Sequence, residues 1–280
     1  MDRYERQVWD TLTRWSAEKP AAVTRLFGRA AGPASQAMQS LIPTEALRAA
    51  LSGVLSASQR FSGYTSLLQR AGVSSLEELQ DGPLQRCDKL ADDVRRKAVA
   101  LGGGTGAVFG VAGGAGLVAD VPSLLTLAFR TIYRTGLCYG EALSGPNSRP
   151  IAIAIFALAS ANTMQEKQLA LSALSHAQLW DQSDSAWRDG LERAAERELA
   201  KEAAVFSVNN VAKQLGRHLG WRKASGSLPV IGALVGSSVN AWYLYDVATV
   251  ARYCFQRRWL DRRYPSLPAP GVAALAGPDA

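Results

Sequence analysis

RRKAVALGGGTGAVFGVAGGAGLVADVP, residues 95–122, decides the fold: three basic residues lead into 22 uncharged ones, Ala98 to Ala119, closed by Asp120 and then Pro122. Eight of the 22 are glycine and six are alanine, and Gly102, Gly106, Gly110 and Gly114 recur at intervals of four. That interval sets them on one stripe of a helix. Glycine costs about 1 kcal/mol relative to alanine at each helical position, so a helix facing water gains nothing from the stripe. A face without side chains does let a second helix approach very closely. The stripe therefore predicts a partner surface.

A second stretch supplies one. Residues 217–240 read RHLGWRKASGSLPVIGALVGSSVN, in which Arg217, Arg222 and Lys223 precede an apolar run carrying Gly232, Gly236 and Asn240, again at intervals of four. Two small-faced helices, each entered from a basic cluster, predict an all-α multi-helix bundle centred on a pair of glycine-zipper helices, with no sheet.

The 280 residues, 48% apolar and 20% charged, are enough for one large core. Residues 1–263 read as one helical domain and 264–280 as a mobile tail rich in proline and alanine. The opening MDRYERQVWD carries charge where a secretory leader needs an apolar centre. Cys87, Cys138 and Cys254 are odd in number and far apart, which argues against a disulfide framework and for a reducing compartment. A net charge of +7 attracts anionic partners. Its concentration at Arg95, Arg96, Lys97, Arg217, Arg222 and Lys223, each cluster beside an apolar run, favours anionic membrane lipids. No helix-turn-helix pairing, zinc-ligand spacing or RNP-like aromatic motif supports nucleic acid.

Taken in order, Val8, Leu12 and Trp15 space a helix over residues 3–18, and Lys19-Pro20 restarts the chain into a second through Gly28. Thr44 opens an amphipathic helix reaching Leu68 and ended by Gly72. Residues 73–83 form a polar turn with Ser75 over Glu78 in capping-box spacing. A helix from Leu84 runs into the glycine stretch until Pro122 stops it; Asp120 then caps the returning limb, Leu124 to Leu143. IAIAIFALA, residues 151–159, alternates like a strand, yet its alanines and the continuation through Leu174 favour helix. Residues 178–190 connect to a helix from Leu191 to Leu219, and the last helix spans Val230 to Arg262.

With these residues in hand, the chain resembles the EcsC family, named after a protein encoded beside an ABC transporter. The likeness spans residues 3–263. It rests on Tyr4 and Trp15, the Gly-rich run ending in Asp120-Val121-Pro122, the pair Tyr139-Gly140, the segment Pro229 to Asn240, and Ala251, Phe255 and Arg258. The resemblance implies a bacterial, membrane-related helical protein with no settled enzymatic activity, sometimes described as hydrolase-like or transporter-associated.

Chemistry-bearing candidates are few. GGGTG lacks the preceding strand and following lysine of a phosphate-cradling loop. Asp120 and Asn240 could form a buried polar site, against the simpler reading of a cap and an inter-helix hydrogen bond. Asp88, Asp92 and Asp93 stand among Lys89, Arg95 and Arg96 and read as a solvated face. His176 and His218 have no acid or cysteine at triad or metal spacing, and no catalytic residue, metal or cofactor is assigned. Trp242, Tyr243, Tyr245, Tyr253 and Trp259 suit an interfacial belt or a packed core equally.

For the membrane, 22 residues at about 1.5 Å each make about 33 Å, enough for a hydrocarbon core of about 30 Å. Seven Leu, Val or Phe residues contribute roughly −2 to −4 kcal/mol to insertion, so spanning is marginal. Reversible insertion, and burial in a soluble core, stand beside it. The sequence expectation is a non-enzymatic protein at the inner face of the cell membrane, peripheral or partly inserted, in lipid handling or ABC-transporter support. A transporter or another protein is the second expected partner. The rivals are a soluble hydrolase-like enzyme and a soluble helical scaffold binding another protein.

Overall fold

The computed structural model describes residues 1–20, 63–111, 113–143, 148–161, 163–181 and 229–267, and side-chain surroundings for all of these except 105–122, 148–150, 176–181 and 229–239. Among the described residues there are eight helices and no strand. They are α1 Arg3–Ala17, α2 Tyr64–Ala71, α3 Leu76–Gln80, α4 Leu84–Val111, α5 Gly113–Cys138, α6 Ser148–Ala159, α7 Met164–Asp181 and α8 Pro229–Arg263.

Local chemistry explains most boundaries. Asp2 accepts from the Glu5 amide at 2.8 Å while Glu5 accepts from the Asp2 amide at 2.7 Å, a reciprocal cap that satisfies two orphan donors of α1. Ser75 accepts from the Glu78 amide at 3.3 Å, opening α3 where the sequence predicts only a turn. Gly72 ends α2 at φ +65°.

The core forms where α4 and α8 lie side by side. On α4 the buried stripe runs Cys87, Ala91, Val94, Ala98 and Gly102, losing bulk toward the C-terminus. On α8 it meets Leu244, Val247, Ala251 and Phe255. Gly102 faces Asn240, Asp92 faces Arg252 and Asp88 faces Gln256, so one number falls as the other rises and the pair is antiparallel. A Cβ on Gly102 would stand 2.6 Å from Leu244 Cδ1 and 3.0 Å from the Asn240 carbonyl oxygen. A side chain there would turn Leu244 aside and press on the Asn240 backbone. Gly106, Gly110, Gly114, Gly232 and Gly236 lie in helical backbone whose surroundings fall outside the described side chains.

Helix α5 returns along α4, and α6 fills the space between α5, α7 and α8. Ile151 to Ala157 are all buried: the alternation that suggested a strand belongs to a helix covered on every side. Phe156 stacks on Phe129 of α5 at 4.8 Å. Of the last-helix aromatics, Tyr243 and Trp259 are buried and Tyr245 is exposed.

Four expectations are corrected. Helix α4 ends at Val111 and α5, packed against it, begins at Gly113, so the expected break at Asp120-Val121-Pro122 is not there: these residues lie within α5. Asp120 is therefore not an N-cap. Gly110, Gly113 and Gly114 supply a cheaper place to reverse than a proline, and a proline inside a helix bends it when neighbours hold both sides. The helix expected from Thr44 to Leu68 does not run unbroken, because Gly63 at φ +73° starts α2 afresh; residues 21–62 lie outside the described residues. The helix at 151–159 does not continue to Leu174 without interruption: it stops at Ala159, and Thr163 accepts from the Glu166 amide at 3.1 Å to start α7. The connection expected at 178–190 begins later, since α7 extends to Asp181. The helix expected at 191–219 lies outside the described residues.

Candidate functional site

The strongest concentration of polar chemistry surrounds Asp88, in the second turn of α4. Its side chain is buried, contrary to the solvated face read from the sequence. Oδ2 accepts from the Tyr4 hydroxyl at 2.6 Å, and Oδ1 accepts from the Tyr139 hydroxyl and from Gln256 Nε2 at 2.8 Å. Three neutral donors from α1, the end of α5 and α8 thus meet one carboxylate. An ionised group in a dry core is tolerated only when its lone pairs are used, and each such bond contributes about 1.5–3 kcal/mol. Burial first, and Asp88 second, push both phenols above their ordinary range, so Tyr4 and Tyr139 remain donors. Beside them Arg252 donates to Asp92 at 2.9 Å.

Tyr139 is aimed by the way α5 ends. The Glu141 amide donates to the Gly136 carbonyl at 2.9 Å and the Gly140 amide to Leu137 at 3.1 Å, the paired bonds of a Schellman stop. Gly140 takes φ +77°. The turn sends Tyr139 inward, where Phe255 stacks on it at 6.2 Å. It sends Glu141 toward α8, where Arg258 Nε reaches its two oxygens at 2.9 and 2.7 Å and Arg262 Nη1 reaches Oε1 at 2.8 Å. Glu141 and Arg258 are both buried.

A third polar contact fastens α1. Lys167 of α7, buried, donates to the Trp15 carbonyl and to that of Glu18 at 2.7 Å, and its Nζ stands 4.6 Å over the Trp15 ring. Cationic donors suit the carbonyl end of a helix. Burial pulls the Lys167 ammonium down to about 8. Alongside, a cavity of about 60 Å³ lies between Leu12, Trp15, Leu171, Leu174, Tyr253 and Arg257, room for a few water molecules.

The basic residues singled out in the sequence separate. Arg95 is engaged, 3.0 Å from Asp92 and 4.9 Å over the Tyr245 ring. Arg96 is exposed and pairs with Asp93 on the same surface, and Lys97 is exposed. Arg217, Arg222, Lys223 and His218 lie outside the described residues. Asn240 is buried with its carbonyl against Gly102. The side chains of Asp120 and His176 fall outside the described ones. The Asp88 and Glu141 clusters and Lys167 escaped the sequence reading because their partners are remote in the chain. Three elements of the resemblance nevertheless meet here: the opening Tyr4, the pair Tyr139-Gly140, and Phe255 with Arg258 of the closing segment.

A helical core built on the α4–α8 pair and closed by this buried carboxylate junction, with the glycine-rich run carried on α4 and α5, defines the class of protein. The EcsC protein family model matches residues 6–260, and the chain belongs to that family. It is similar to the uncharacterized protein YdbA of Bacillus subtilis (strain 168), 24% identical over 189 residues, which is 68% of this chain and 64% of that relative. The match therefore spans about two thirds of each. No solved structure matches. Among the described residues no helix is long and apolar enough to cross a membrane.

Proposed function

We propose that the protein docks on the anionic inner face of the cell membrane and enters its surface with the tip of the α4–α5 hairpin, acting without catalysis in lipid handling or in support of a transporter. One observation carries the reading: the uncharged run Ala98–Ala119 is divided after Val111 between two helices packed on each other, and its base presents Leu101, 51% exposed, one turn after the exposed Lys97. From Gly113 to Asp120 the helical rise is about 10 Å, and from Lys97 to Val111 about 21 Å. Entry to about 10 Å leaves Asp120 at the hydrocarbon boundary and Arg96 and Lys97 near the outer headgroups, the depth range of interfacial segments. The exposed Arg96–Asp93 pair contributes little to stability, so Arg96 is available to lipid phosphate.

Flotation with vesicles tests this. Binding to phosphatidylglycerol vesicles is expected to exceed binding to phosphatidylcholine and to weaken with salt. Each basic residue at an anionic surface contributes about 1 kcal/mol, so Arg96→Glu with Lys97→Glu should reduce binding at least about tenfold. No flotation at any lipid composition overturns the proposal and favours the soluble scaffold.

A further inference from the structure

Arg134 of α5 feels the charges of Arg130, one turn before it, and of Arg70 on α2. No carboxylate pairs with any of the three among the described residues. Arg70 spends its Nε on the Ser66 carbonyl at 3.1 Å. The Nε groups of Arg130 and Arg134 are buried without an acceptor, although buried donors are nearly always satisfied. Burial first, and the neighbouring charges of Arg130 and Arg70 after it, depress the Arg134 pKa.

The start of α2 adds to the imbalance. Gly63 supplies no capping side chain, and a Cβ there would be 3.7 Å from both Cζ and Nη2 of Arg134. A helix N-terminus bears partial positive charge and free amides, so a guanidinium beside it is repelled unless an anion lies between them. Arginine forks match the oxygens of phosphate in pairs.

We propose that Arg130, Arg134 and Arg70, with the uncapped start of α2, form a binding site for a phosphate group, either free or as a phosphate ester in a lipid headgroup. The site is separate from Arg96 and Lys97 and does not depend on hairpin insertion.

Thermal melts of the full chain in inorganic phosphate, against chloride at matched ionic strength, are the first arm; sedimentation with phosphatidate vesicles is the second. The melting temperature is expected to rise with phosphate for the parent and for a control, Arg86→Gln. In Arg130→Gln/Arg134→Gln the apparent affinity for phosphate should fall at least about tenfold, the equivalent of one lost charge-assisted bond. This double variant relieves repulsion and should fold; Arg134→Lys, which keeps the charge and loses the fork, gives an intermediate affinity and serves as the second variant. If phosphatidate binding falls with it, the phosphate belongs to a headgroup; if vesicle binding is unchanged while the phosphate response is lost, the ligand is a soluble phosphate. Absence of a phosphate-specific rise in the parent, or the same rise in the double variant, overturns the site. Failure of membrane docking would show instead as loss of flotation with the phosphate response intact.

Discussion

Gly140→Ala is expected to lower stability by about 3 kcal/mol or more, read as a reduced midpoint in urea unfolding. The residue sits at φ +77°, where an L side chain costs about 1–2 kcal/mol. The new Cβ would also fall 2.6 Å from the Leu76 carbonyl oxygen and 2.9 Å from the Gln80 amide nitrogen. Both are backbone atoms of α3, so no rotamer change relieves the contact, and overpacking of this kind costs about 1–3 kcal/mol more. Gly72→Ala separates the two causes. Gly72 has φ +65° but nothing within 4 Å of its Cβ position, so it should lose about 1 kcal/mol. Equal losses at the two positions would contradict the close docking of α3 on the Schellman turn.

Glu141→Ala is expected to cost about 3–5 kcal/mol, because it breaks a buried ion pair in which both carboxylate oxygens accept from Arg258 Nε. Arg262, partly exposed, can turn toward water; Arg258, at 9% side-chain exposure, cannot. Glu141→Leu combined with Arg258→Met replaces the pair by packed apolar groups and should recover most of the loss, since the desolvation of two ions disappears with their attraction. A double-mutant cycle by chemical unfolding reads the coupling, expected at about 2 kcal/mol or more. Coupling below about 0.5 kcal/mol would mean that the pair is solvated and does not hold α5 to α8.

Much of the frame is legible from local residues. Ser75 over Glu78, Gly72 and the Leu84 start announce their boundaries because caps and glycine stops act within a few positions. The apolar segment 151–159 is readable as helix from its alanines. Asp88 is not readable. Its neighbours Lys89, Arg95 and Arg96 describe a wet face, while its donors Tyr4, Tyr139 and Gln256 lie 84, 51 and 168 positions away. Proline outweighs glycine in local propensity, so the sequence points to Pro122 for the helix break, whereas the packed pair of helices breaks where side chains are smallest. Arg130 and Arg134 carry no pattern of their own; their meeting with Arg70 depends on how α2 docks on α5.

Membrane entry of the hairpin is tested most directly by an environment-sensitive fluorophore attached at Phe109→Cys. The native thiols are buried, and burial raises Cys87 and Cys254 to about 12, so the introduced cysteine is modified selectively. With phosphatidylglycerol vesicles the label at 109 should shift to the blue and brighten, whereas a label at Asp10→Cys on exposed α1 should not change. Emission at 109 that stays at its aqueous value while the protein floats with the vesicles would contradict insertion.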